Sequence, residues 1–131
     1  MKKQIILGAG KLKVSDQVLM SLQRRSSGST MACEYGQPIR PRGMSDEDWI
    51  RRLRMVELDK VCLVLDEIDR TACGGYLMGT VYPAGAYKGL METYLSNDNL
   101  VKQLQLTPRG FKDSKGEWVE IITFDLSKIN Y

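Results

Sequence analysis

Val61-Cys62-Leu63-Val64-Leu65-Asp66-Glu67-Ile68 is a nearly continuous apolar run. Periodicity alone admits a helix or a strand here; the short, valine- and leucine-rich run reads as a strand buried on both faces. Gly74-Gly75 then turns the chain, and Tyr76 to Tyr82 returns as its hairpin partner. Upstream of this hairpin, Lys3 to Val14 is apolar and β-branched, interrupted by Gly8 and Gly10, and reads as a bent or bulged strand. Ser15 offers an N-cap to a helix ending near Arg25, with Val18, Leu19 and Leu22 on one face. Ser26-Ser27-Gly28-Ser29 is a turn, and Thr30 to Tyr35 a short strand. Pro38 and Pro41 keep Gly36 to Met44 out of a helix.

Ser45 followed by Asp46, Glu47 and Asp48 places a cap and three carboxylates at a positive helix terminus. A short helix to about Leu53 is predicted, with Trp49, Ile50 and Leu53 as its buried face, and Arg54 to Leu58 as extended chain. Downstream, Pro83-Ala84-Gly85 ends the hairpin strand, and Leu90, Met91, Tyr94 and Leu95 mark a helix from about Tyr87 to Leu95. Leu104 and Leu106 alternate with Gln103 and Gln105 as a half-buried strand. A polar turn at Asp113-Ser114-Lys115-Gly116 leads into Trp118 to Leu126, the most β-prone run of the chain. The order β-α-β-α-β-β-α-β-β predicts an α+β fold: a mostly antiparallel sheet curled towards a barrel, with helices outside it.

The chain has 131 residues, which predicts one domain over 1–131 with a core large enough to need no metal or disulfide staple. It contains no histidine. Ser-His-Asp and Cys-His catalysis, His-ligated metals and an imidazole pH switch are therefore closed to this chain acting alone. Nineteen basic against sixteen acidic residues leave +3. Arg40, Arg42, Arg51, Arg52 and Arg54 cluster, but Asp46, Glu47 and Asp48 lie among them, so a solvated mixed-charge face is expected and not a nucleic-acid surface. Cys33, Cys62 and Cys73 match no zinc or redox spacing. Ile5-Ile6-Leu7 is too short an apolar stretch for a signal peptide, and no run approaches a membrane span. Reduced thiols and a cytosolic setting are the expectation.

Gly8-x-Gly10 lacks the third glycine and the following helix of a dinucleotide fingerprint. Asp59, Asp66, Glu67 and Asp69 show no calcium-loop spacing. No cofactor or metal is expected. Thr107, entering Pro108-Arg109-Gly110, reads as an ordinary turn residue. Asp125, between Phe124 and Leu126, either points to solvent at an edge or is buried with a partner such as Arg109, because burial alone costs several kcal/mol.

Element order and three short strings give a resemblance to the prohead (head-maturation) serine proteases of tailed bacteriophages, over Lys3 to Leu126. In that family a strand ends in a string like Gly-Glu-x-x-His-Pro, whose histidine is the general base. Here Cys33-Glu34-Tyr35-Gly36-Gln37-Pro38 places Gln37 at that position. The family nucleophile opens a Ser-Ser-Arg-Gly turn, matched here by Thr107-Pro108-Arg109-Gly110. An acidic residue in the last apolar strand is matched by Asp125 in Ile121-Ile122-Thr123-Phe124-Asp125-Leu126.

An amide takes up no proton at neutral pH, and a threonine hydroxyl without a base is unreactive. The resemblance therefore implies a protease-shaped protein that does not cut. It implies Gln37, Thr107, Arg109 and Asp125 in a vestigial site, with Tyr35 and the Arg40–Arg42 loop beside it. The expected partners are capsid, scaffold or protease subunits, or a second copy of the chain, in the host cytoplasm or the virion. The alternative is an inhibitor that binds a host enzyme or sequesters a small anion, held by Arg109 or by the Arg109 and Gly110 backbone amides.

Overall fold

The computed structural model describes residues 2–8, 12–27, 31–71 and 75–129. Gly10, the Gly28-Ser29 turn, Thr30, Cys73 and Gly74 lie outside the described residues. Among those described, the order is β1 (Lys3–Ile6), α1 (Asp16–Ser27), β2 (Met31–Glu34), α2 (Asp46–Arg54), β3 (Val61–Arg70), β4 (Leu77–Pro83), α3 (Lys88–Leu95), α4 (Asp98–Val101), β5 (Leu104–Lys112) and β6 (Trp118–Ile129). Single 3₁₀ turns at Leu58–Lys60 and Gly85–Tyr87 precede β3 and α3.

The predicted order is found, with α4 as an additional short helix capped by Asn97. The first strand is shorter than predicted, ending at Ile6. Ser26 and Ser27 belong to α1 rather than to a turn, their hydroxyls donating to Gln23 O and Arg24 O.

The expectation of one sheet curled towards a barrel is corrected. β1-β4-β3-β2 form a four-stranded antiparallel sheet, while β5 and β6 form a separate antiparallel pair. Among the described residues the strand pairing between them is limited to isolated bridges, Leu7 to Leu106 and Tyr35 to Leu126. A glycine follows each bridge. Gly8 N donates to Leu106 O and Gly36 N to Leu126 O, both at 2.7 Å. Their φ values of +80° and +86° bend the chain where a continuing ladder needs extended backbone.

Val61, Cys62 and Leu63 are buried in succession, the pattern of a strand covered on both faces. Around β3 pack Leu7, Leu22, Leu77, Met91, Leu95, Leu106 and Phe124, all completely buried. Cys33 and Cys62 are buried free thiols. Burial pushes the Cys62 thiol up to about 12, so neither a thiolate nucleophile nor a soft metal ligand is offered there.

Thr107-Pro108-Arg109-Gly110 is not a turn but the middle of β5, paired with Asp125, Phe124, Thr123 and Ile121. The register shifts between Arg109 and Gly110. A strand with a ladder on one side tolerates Pro108, which has no N–H to give. Gly110 is required by close approach: a Cβ there would lie 2.0 Å from Glu120 O and 2.8 Å from Ile121 Cα. Gly110→Ala is expected to cost about 2–3 kcal/mol, because backbone moves aside less readily than a side chain. Urea unfolding of the variant measures this, and a loss under about 0.5 kcal/mol, as at an ordinary surface position, contradicts it.

Candidate functional site: a buried carboxylate–guanidinium network beneath two clefts

α2 begins as predicted, with Asp48 N donating to Ser45 Oγ at 3.1 Å. Its predicted buried face is corrected: none of its residues is buried, Trp49 and Leu53 are half-buried, and Ile50 is 45% exposed. What ties the helix down is charge. Arg52 reaches from its last turn to Glu34 on β2, with Nη2 donating to Oε1 at 2.7 Å and Nη1 to Oε2 at 3.1 Å. The Glu57 N–H also donates to Glu34 Oε2, at 3.2 Å.

From the other side comes Arg109, on β5 and 4% exposed. Its Nη2 donates to Glu34 Oε2 at 2.9 Å and its Nη1 to Met55 O at 3.0 Å. Its Nε lies 3.1 Å from Asp125 Oδ2, on β6. Arg52 Nε is also paired with Glu57 Oε1, at 3.2 Å. Two arginines, two fully buried carboxylates and the 55–57 loop thus join α2 to β2, β5 and β6.

The two carboxylates are held differently. Burial pushes the Glu34 carboxyl up, but the Arg52 hydrogen bonds, the Glu57 N–H and the Arg109 charge outweigh it and hold Glu34 below its usual range. Asp125 is pushed up to about 6, first by burial and further by the Glu34 charge. Arg109 and the Glu34 peptide N–H pull it down, neither at hydrogen-bond geometry.

Above this network are two clefts sharing Gln37 and Pro38 as a wall. One, about 340 Å³, is lined by Glu34, Tyr35, Arg52, Glu57 and Lys60 among others. The other, about 240 Å³, is lined by Trp49, Leu53, Pro108, Arg109, Gly110, Trp118 and Asp125. Gln37, Arg109 and Asp125 therefore meet at one cleft. Thr107 is not among the described residues lining either: it faces Asp125 across the ladder, and its Oγ1 lies 2.5 Å from Ser127 Oγ. Tyr35 stacks on Tyr87, with ring centroids 4.4 Å apart and planes at 9°. Arg40 donates to Asp46 Oδ1 and Met44 O at the surface, and Arg42 is exposed.

Sequence reasoning missed Glu34 and Arg52 as members of the site. Glu34 was legible on the argument applied to Asp125, a carboxylate ending an apolar strand. Arg52 carried no such mark, being one arginine in a mixed-charge run. The Arg109 and Gly110 backbone lies in a paired strand rather than in an anion-binding turn. Among the described residues, no group of three or more potential ligands is placed to hold a metal ion, and no helix is long and apolar enough to cross a membrane.

No curated protein and no solved structure matches the chain. The model of the Peptidase S80 family matches residues 15–126, a span holding α1, both arginines of the network and both of its buried carboxylates. With most of its length accounted for in this way, the chain belongs to the Peptidase S80 family, the head-maturation serine proteases.

Proposed function

We propose that this chain is a non-enzymatic phage member of the protease family that acts through protein–protein contacts in head assembly, as a structural component or a regulator. The observation that carries the reading is that a chain of this serine-protease family contains no histidine to act as base. By the sequence resemblance Gln37 falls where the family has its base, and an amide accepts no proton at neutral pH. Thr107, matched by the same resemblance to the nucleophile, has its hydroxyl engaged with Ser127. Losing base and nucleophile together typically forfeits about 10⁶ in rate. The clefts beside Gln37 remain as surfaces for a partner's chain, and strand addition to an open sheet edge is a further contact mode. The anion-sequestering alternative is disfavoured, because Arg109 is already directed at Glu34, Asp125 and Met55 O.

Under this reading the protein works in the host cytoplasm and is retained in the virion if it becomes part of the shell. Tagged protein is expected to recover capsid, scaffold or protease subunits from phage-infected cells only. Recovery of one host protein from infected and uninfected cells alike overturns the reading in favour of a host inhibitor. In parallel, a fluorophosphonate probe for activated hydroxyls is expected to leave the protein unlabelled. Labelling abolished by Thr107→Ala contradicts the non-enzymatic assignment.

A further inference from the structure

We infer that the smaller cleft receives a basic side chain, a lysine ammonium or an arginine guanidinium, held by Asp125 and Gln37 between Trp49 and Trp118. This rests on the reading above only in taking the cation from a protein partner.

The starting point is Asp125. Its side chain is wholly buried yet forms part of the cleft lining, and neither carboxylate oxygen has a hydrogen-bond partner. A buried carboxylate is expected to accept several hydrogen bonds. Arg109 does not supply them. Its Nη1 and Nη2 are directed to Met55 O and Glu34, and its Nε, 3.1 Å from Oδ2, makes an ion contact without hydrogen-bond alignment. The Glu34 peptide N–H also faces Asp125 but is not at hydrogen-bond geometry either, so the under-satisfied acceptors call for a donor arriving through the cleft.

The walls narrow the class of donor. Two indoles line the space, and aromatic faces attract cations, as Lys112 Nζ, 4.7 Å from the Trp118 ring centroid, already does on that ring. Pro38, Leu53 and Pro108 offer apolar surface along which the methylenes of a lysine or arginine lie while its charged head reaches deeper. Gln37 adds an amide oxygen as a second acceptor. The lining also holds Arg109, but its guanidinium is taken up by Glu34, Met55 O and Asp125, so an anion finds no uncommitted cation in this lining and meets the Asp125 carboxylate. At about 240 Å³ the cleft is smaller than the roughly 300–1,000 Å³ of drug-sized sites, a scale suited to one inserted side chain.

The chain's two tryptophans both line this cleft; Trp118 also borders a second cleft with Ser15, Val18 and Ile121, so emission is followed in Trp118→Phe, where Trp49 alone reports on the site. The probes are capped tripeptide amides with lysine, arginine, norleucine, glutamine or glutamate between two glycines. The lysine or arginine peptide is expected to shift the emission saturably and to bind roughly tenfold or more tightly than the other three, as for a desolvated charge contact. Asp125→Asn is expected to abolish that preference, and Gln37→Glu, at the rim, to increase lysine affinity severalfold.

Equal binding of norleucine or glutamine, tighter binding of glutamate, or a preference surviving in folded Asp125→Asn overturns the inference. If Asp125→Asn does not fold, Gln37→Glu decides, and unchanged lysine affinity counts against. Lysine selectivity without retention of any head protein sinks the assembly reading alone. Retention of head proteins uncompeted by the lysine peptide sinks this inference alone.

Discussion

Glu34→Ala is expected to lower the free energy of unfolding by about 3–5 kcal/mol, as breaking a buried ion pair from one side does. Glu34 is fully buried and accepts from Arg52 twice, from Arg109 and from the Glu57 N–H. Removing it leaves Arg109 buried with only Asp125 as counter-charge, at a contact that is not a hydrogen bond. The variant also loosens α2, which buries no residue of its own and is left with the exposed Arg54 contacts to Glu120 and the Phe111 ring once Arg52 loses Glu34. Against a typical stability of about 5–15 kcal/mol, the loss is large enough to leave a substantial unfolded population.

Arg52→Ala separates the two contributions. Its side chain is 14% exposed, and Arg109 stays with Glu34, so about 1–2 kcal/mol is expected, with amide exchange in α2 accelerated and exchange in β3 unchanged. Urea unfolding and hydrogen exchange measure both variants. A Glu34→Ala loss below about 1 kcal/mol, the scale of an exposed pair, contradicts a structural role for the network.

The same residues show what was legible in the sequence. The strands and helices announce themselves through local signals: the apolar run at Val61–Ile68, the Ser45 cap, the alternation leading into β5. The path of Thr107 to Gly110 does not, because Pro-x-Gly is also turn chemistry. Only the ladder to β6 decides for a strand, and that partner lies beyond the next turn. The division into two sheets was hidden for a related reason. Element order fixes which strands exist but not where pairing stops, and it stops at Gly8 and Gly36, where φ is positive. Arg52 and Glu34 are 18 residues apart, Glu34 and Arg109 are 75 apart, and no periodicity encodes either pairing. Asp125 stood out because a carboxylate between Phe124 and Leu126 is locally costly. Glu34, a carboxylate ending an apolar strand, carried the same local signal, but its partners Arg52, Arg109 and the Glu57 N–H did not.

Asp125 gives the protein a pH dependence of unusual sign for a carboxylate. Its pKa rises from 3.8 to about 6 on folding, through burial first, so the folded state holds this proton more tightly than the unfolded chain. The stabilisation is fully present below about pH 4 and is lost as pH rises through about 6. The shift corresponds to roughly 3 kcal/mol. Glu34, held below its usual range, acts in the opposite direction, its contribution being lost as pH falls. The wild-type profile is therefore a difference of two terms, and Asp125→Asn isolates one. The variant is expected to lose the decline between about pH 4.5 and 6.5, while keeping the acid-side fall that Glu34 supplies. Urea unfolding across that range measures it, and parallel profiles for wild type and variant contradict the assignment. A cation bound in the cleft pairs with the ionised carboxylate and so lowers its pKa. By linkage, saturating lysine peptide then moves the decline to lower pH and diminishes it. The site chemistry and the stability profile are thus two readings of one proton, and a peptide that binds without shifting the profile is not held by Asp125.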